Sequence, residues 1–198
     1  MSVLPIVKVF QSNLYCEGSC LRQKTEDILL SDLREQWFRR LIIDMFQTLY
    51  SEPTGIGLSA NQVGILKSIS VLDFKRDGKT PLVLINPTYI QLSSECVESR
   101  EACLSLPNLS VTVKRYKKIQ VSYLDISGQK NILQAEGFKA NAFQHEIDHL
   151  EGALSVDLVK GEEAISYYEG NPSRLAQISY ETCLHLSTNN DRGGNENS

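Results

Sequence analysis

The sequence predicts an α+β fold, with mixed or antiparallel β-sheets packed around a central helix built to bind a metal. Three observations carry that prediction. The middle of the chain alternates apolar and polar residues as strands do, while stretches on either side repeat at helical spacing. Late in the chain, His145-Glu146-Ile147-Asp148-His149 sets two imidazoles one helical turn apart. Strands followed by a helix of that kind pack as separate layers around one core.

Taken in order, residues 4–10 read as a short extended segment. Ser31 or Asp32 is a suitable cap for a helix running through Trp37, Leu41, Ile42, Met45, Phe46 and Leu49, whose spacing makes one apolar face. That helix should stop before Pro53, because the residue before a proline is disfavoured in the α conformation. Gly55-Ile56-Gly57 then forms a flexible bend. Residues 65–74 and 81–92 read as strands joined by a turn at Asp77-Gly78. Residues 111–113 and 119–124 follow as strands, with a second turn near Ser127-Gly128. From about residue 137 to residue 151 the pattern is helical, ending at Gly152. A further helix is expected beyond Ala164. Residues 1–186 are thus expected to form a single domain, and residues 187–198 a polar, disordered tail.

Bulk properties exclude several classes of function. A chain of 198 residues, 41% hydrophobic and 22% charged, can bury a real core and is neither fibrous nor disordered in composition. A net charge of −4 argues against a general grip on nucleic acid or anionic lipid. Lys114, Arg115, Lys117 and Lys118 do cluster, and read as the solvated face of a strand region; ribosome contact there is the alternative. No apolar run approaches the roughly 20 residues of a membrane span, and no secretory signal is visible. Five cysteines at irregular spacing (Cys16, Cys20, Cys96, Cys103, Cys183) argue against a disulfide framework, so a cytoplasmic location is expected.

The H-E-x-x-H motif ties spacing to chemistry. His145 and His149 on one helix face can offer two nitrogens to one ion, and Glu146 stands beside whatever water that ion holds. The bland alternative is a surface helix with solvated histidines. Catalytic sites of this type use three protein ligands and keep one position open. His185 is one candidate for the third, although it lies near the polar tail without a companion motif. Cys103 is the other, in the segment Glu101-Ala102-Cys103-Leu104-Ser105-Leu106-Pro107, read as short and irregular before a proline break. A free cysteine is as readily a small buried hydrophobe as a ligand.

Three segments, in order, resemble the signature motifs of the peptide deformylase family: G-I-G-L-S-A-N-Q at 55–62, E-A-C-L-S at 101–105 and Q-H-E-I-D-H at 144–149. The similarity extends to Asp44-Met45, Thr48, Val63-Gly64, Leu84-Ile85-Asn86-Pro87 and Leu150-Glu151-Gly152, covering roughly residues 4–157. The resemblance implies a deformylase-like fold and a metal-dependent hydrolase that removes the N-formyl group from the N-terminal methionine of new polypeptides. It selects Cys103, with His145 and His149, as metal ligands, and implies one divalent ion: Fe(II) physiologically, with Zn(II), Ni(II) or Co(II) also suited to the donors. A thiolate makes the ion a weaker Lewis acid, so a base matters more. Glu146 would be that base, with Gln62 and the backbone N–H of Leu104 stabilising the oxyanion. Ile56, Gly57, Ala102, Phe138, Asn141 and Ala142 would bind substrate. Ile56 and Gly57 would pair with an extended peptide, and Ile56, Phe138, Ala142 and the His145 ring would wall the methionine pocket. Glu101 and Arg115 match an ion pair that steadies the cysteine loop. The implied partners are N-formylmethionyl nascent peptides and, transiently, the ribosome, with no membrane and no specific nucleic acid.

Two positions depart from the family pattern. Ala102 stands where a glycine is usual; it would be strained at positive φ, or would narrow the cleft by a methyl. Ser59 stands where an alanine is usual and adds a hydroxyl near the site. Two alternatives remain: a degenerate relative that binds formylated or modified N-termini without turnover, and a zincin-type endopeptidase, which would need neither Gln62 nor the cysteine segment.

Overall fold

The late helix packs against two antiparallel sheets, and the computed structural model describes this arrangement for residues 2–8, 19–159 and 165–167. The elements run α1 (Gln36–Ser51), β1 (Gly57–Ser59), β2 (Ile69–Leu72), β3 (Leu82–Gln91), β4 (Cys96–Cys103), β5 (Leu106–Tyr116), β6 (Lys118–Leu124), β7 (Lys130–Glu136), α2 (Phe138–Leu150) and β8 (Ile165–Tyr167). One sheet has the order β1-β2-β3-β6-β7 and the other β4-β5-β8. Every pairing between these strands is antiparallel; an isolated bridge between Glu26 and Lys67 is parallel.

Period-two alternation decides what each strand presents. On one face of the larger sheet, Leu58, Ile69, Val71 and Ile85 pack against Phe38, Leu41, Met45 and Leu49 of α1. On the other, Leu72, Leu84, Ile119 and Val121 pack against Ala140, Phe143 and Ile147 of α2. β2 is therefore buried on both sides, with Ser70 the one polar side chain on the strand. Leu106, Leu109, Val111 and Val113 of β5 form the third cluster with Cys103 and Val156.

Asp44 and Thr48, on α1, hold the start of the chain: the Ser2 amide donates to Asp44 (2.8 Å) and the Leu4 amide to Thr48 (2.8 Å). Residues 2–8 belong to no helix or strand, and the Val7 amide donates to the Gln62 carbonyl at 2.7 Å. Gly152 follows α2 with φ +78, the left-handed conformation expected of a C-terminal stop.

Several expectations are corrected. α1 starts at Gln36, after a separate 3-10 turn at Asp32–Arg34; the Asp32 carboxylate accepts from the Leu29 amide and caps nothing in α1. Gly57 opens β1 rather than ending a bend. Cys103 closes a regular strand, and Pro107 lies inside the next one. That strand, β4, escaped notice because its inward residues include Ser99 and Glu101, so its alternation is not one of hydrophobicity. Arg115 is 3% exposed and belongs to no solvated face. Residues 165–167 pair with β5 as a strand, where a helix was expected from Ala164 onward. His185, Cys183, the expected domain limit at 186 and the polar tail at 187–198 lie outside the described residues. No helix among the described residues is long and apolar enough to cross a membrane.

Candidate metal centre

His145 and His149 come to one point because both belong to the same face of α2; their ring centroids lie 4.8 Å apart. Cys103 arrives from the other sheet, at the end of β4, where the pairing with β5 shifts register between Ala102 and Cys103. Its Sγ lies 3.2 Å from His149 Nε2, and one ligand atom from each of the three residues falls within 4.8 Å of the others. Donor atoms sharing one tetrahedral ion stand roughly 3.3–3.8 Å apart. A thiolate and two imidazoles converging at that scale in a largely buried site form a centre for a divalent transition ion.

The surrounding residues orient these donors. Glu101 Oε2 lies 2.9 Å from His145 Nδ1, which turns the other ring nitrogen toward the centre. Arg115 grips Glu101 with both arms, at 2.7 Å and 2.8 Å, and donates a third hydrogen bond to Asp148. Burial alone would raise the Glu101 carboxyl, but Arg115 and His145 outweigh it and hold the pKa at about 2. Asp148, by contrast, is raised by burial despite Arg115. The Asn61 amide donates to the backbone carbonyl of His149, while His149 Nδ1 is buried without a hydrogen-bond partner among the described residues.

Glu146, 5% exposed, lies against Gly57 and Ser59 of β1. Burial raises its pKa, offset in part by the charge of His145 and a hydrogen bond from Ser59. The Ser59 hydroxyl lies 2.6 Å from Glu146 Oε2, 2.9 Å from the Glu146 carbonyl and 2.8 Å from the Ser70 hydroxyl. Glu146 Oε1 lies so close to Gly57 that a Cβ there would be 2.3 Å away. Gln62 is equally fixed: its Oε1 accepts from the Ser59 amide at 2.9 Å, and its Nε2 points at Ser105 Oγ (3.2 Å) and Cys103 Sγ (3.6 Å). Leu104 and Ser105 form the two-residue turn between the paired Cys103 and Leu106.

A cavity of about 620 Å³ opens beside the centre, a size suited to a small ligand or a short stretch of peptide. Ile56, Gly57, Gln62, Ala102, Cys103, Leu104, Phe138, Asn141, Ala142, His145 and Glu146 all line it. His149, 1% exposed, stands behind the wall. The residues to which the resemblance gave metal-binding, catalytic and substrate-binding roles thus lie together, while His185, the other candidate ligand, falls outside the described residues. Phe138 is 65% exposed at the mouth and meets Phe74 edge-on, so it forms a rim more than a wall. Asn141 is tied to Ser99 at 2.9 Å. Ala102 is not among the residues with positive φ, so no backbone strain attaches to it, and it is one of the residues lining the cleft. Sequence reasoning missed Ser70, Ser105 and the role of Asp148 in gripping Arg115. Ser70 lies on another element with no motif of its own, whereas Ser105 closes the cysteine motif and Asp148 sits inside the histidine motif, so both could have been tried as partners.

Comparison with known proteins agrees with this geometry. The sequence profile of the polypeptide deformylase family matches residues 7–164. A peptide deformylase of Microchaete diplosiphon is 44% identical over 147 residues, covering 73% of this chain and 76% of that one. A peptide deformylase 1 of Clostridium perfringens is 44% identical over 141 residues, covering 71% and 92%. Among solved structures, a peptide deformylase from Synechococcus elongatus in complex with actinonin superposes with a TM-score of 0.70 at 36% identity, covering 81% of each chain. That from Thermotoga maritima gives 0.69 at 31% identity, covering 80% of this chain and 99% of its own. With a thiolate and two helix-borne imidazoles converging beside a peptide-sized cavity, and relatives of this closeness over most of its length, the chain belongs to the polypeptide deformylase family.

Proposed function

We propose that this protein hydrolyses the N-formyl group from the terminal methionine of new polypeptide chains, with Glu146 as its base. The carrying observation is the convergence of Cys103, His145 and His149 with the Glu146 carboxylate on the wall of one cavity. A divalent ion held there, Fe(II) physiologically or Zn(II), Ni(II) or Co(II), would acidify water and polarise the formyl oxygen. Glu146 takes a proton from the attacking water and returns it to the departing amine, leaving formate and a free N-terminus. Burial favours the neutral form of Glu146 and so makes its carboxylate a stronger base than an exposed one. Gln62 Nε2, aimed at the sulfur side of the centre, and the Leu104 N–H meet the oxyanion as it forms; each such donor is worth roughly a hundredfold in rate.

Ile56, just before the edge strand β1, and Gly57, its first residue, offer backbone groups to an extended peptide. Ile56, Ala142 and the His145 ring wall the space for an unbranched apolar side chain, with Phe138 at the rim, Asn141 alongside and Ala102 narrowing the cleft. The partner is an N-formylmethionyl nascent peptide, met in the cytoplasm. Transient ribosome contact fits the exposed Lys114 and the neighbouring Lys117 and Lys118. A single catalytic domain over residues 1–186 fits the profile match through residue 164.

Formate release from a formyl-Met peptide, with metal content measured in parallel, tests this reading. Glu146→Ala is expected to keep its metal and lose turnover. Metal-loaded wild-type protein that binds the peptide without releasing formate would point instead to the non-catalytic reading.

A further inference from the structure

We infer that Ser59, backed by Ser70, is a positioning residue for Glu146, holding one carboxylate oxygen so that the other alone exchanges protons. This rests on Glu146 being the base. The geometry comes from strand parity: Leu58 faces α1, so Gly57 and Ser59 both face α2. Ser59 and Ser70 are direct cross-strand partners in the β1–β2 register, and Ser70 shares the α2 face of β2 with Leu72. Both serines are 0% exposed, so neither hydroxyl has solvent as a partner.

Proton accounting gives the direction of the chain. Ser59 carries one hydroxyl proton, with three oxygens in reach at 2.6, 2.8 and 2.9 Å. The shortest contact is to the carboxylate, and an ionised acceptor takes the proton in preference to a neutral one. Ser70 must then donate to Ser59. The order is Ser70 to Ser59 to Glu146 Oε2, with every proton used once. Among the described residues no donor reaches Oε1, which lies against Gly57 on the cavity wall. When Oε1 accepts a proton from water, Oε2 still accepts from Ser59, so the carboxyl need not turn between the two halves of the reaction. An alanine at this position would leave Oε2 buried without a donor and the carboxyl free to rotate.

The test compares wild type with Ser59→Ala, Ser59→Thr and Ser59→Val, measuring kcat and KM for a formyl-Met peptide and metal content on each. Thr and Val have nearly the same volume and differ in the hydroxyl, so their ratio isolates it even if the added methyl disturbs packing. Ser59→Ala is expected to lower kcat about tenfold with KM and metal content unchanged, and Thr to exceed Val by a similar factor. Ser70→Ala should lower kcat less, because Ser59 keeps its own proton. Unchanged kcat in Ser59→Ala, a change confined to KM, or equal kcat in Thr and Val would each overturn the assignment. A wild-type protein that releases no formate would defeat the deformylase reading itself, a separate outcome. Crystals of Ser59→Ala supply a second readout: a shifted or multiply placed Glu146 carboxylate supports the role, and one held in place overturns it.

Discussion

Replacing Gly57 with alanine adds one methyl group, and the structure says where it goes. The new Cβ would lie 2.3 Å from Glu146 Oε1, 2.7 Å from Cδ and 2.9 Å from Cγ. Ordinary contact for such atoms is about 3.5 Å, so the carboxylate must retreat by roughly 1 Å. Gly57 does not have positive φ, so the backbone accepts alanine and the whole effect falls on Glu146. The carboxylate cannot slide freely, because Ser59 holds its far oxygen at 2.6 Å. Misplacing a reacting group by about 1 Å costs on the order of a hundredfold in rate. Gly57→Ala is therefore expected to lower kcat for formate release by that order, with metal content unchanged. The decisive control is Glu146→Ala with and without Gly57→Ala: once the carboxylate is gone, the added methyl should cost little more. Retention of most of the wild-type kcat in Gly57→Ala, or an undiminished penalty in the Glu146→Ala background, would refute the reasoning.

Three further predictions follow from the neighbouring network. Arg115→Ala strands the buried Glu101 carboxylate and should cost roughly 3–5 kcal/mol, read as a large fall in Tm; a fall typical of an exposed ion pair, under about 1 kcal/mol, would contradict its burial. Glu101, held at about 2 against an ordinary 4.5, stabilises the fold fully above pH 4.5, and that stabilisation is lost as pH falls toward 2. The gap corresponds to at most about 3 kcal/mol, so denaturant unfolding of wild type should weaken over this range while Glu101→Gln shows a flatter dependence. Ala102→Gly should leave stability within roughly 0.5–1 kcal/mol, because no strain exists to relieve, and any change in turnover should depend on the substrate's bulk.

Local regularities made much of this protein legible. Five residues of helical spacing sufficed to place His145 and His149 on one face, since that relation is set by the helix itself. Where alternation was apolar, as in residues 119–124 of β6, strands were recognised; where a strand buried polar groups, as β4 does with Ser99 and Glu101, it was not. Cys103 was ambiguous on residues alone and became a ligand only through its resemblance to a family motif, because its 3.2 Å approach to His149 spans 46 positions of chain.

What the sequence determined by itself was the imidazole pair and the helix that carries it. Tertiary structure decided which cysteine joins them, that Arg115 is buried instead of solvated, and that Ser59, Ser70 and Gly57 close around one carboxylate. The physical reason is range. Helical periodicity acts over four residues, whereas the register of β1 on β2 and the seating of α2 between the sheets depend on contacts between segments far apart in the chain.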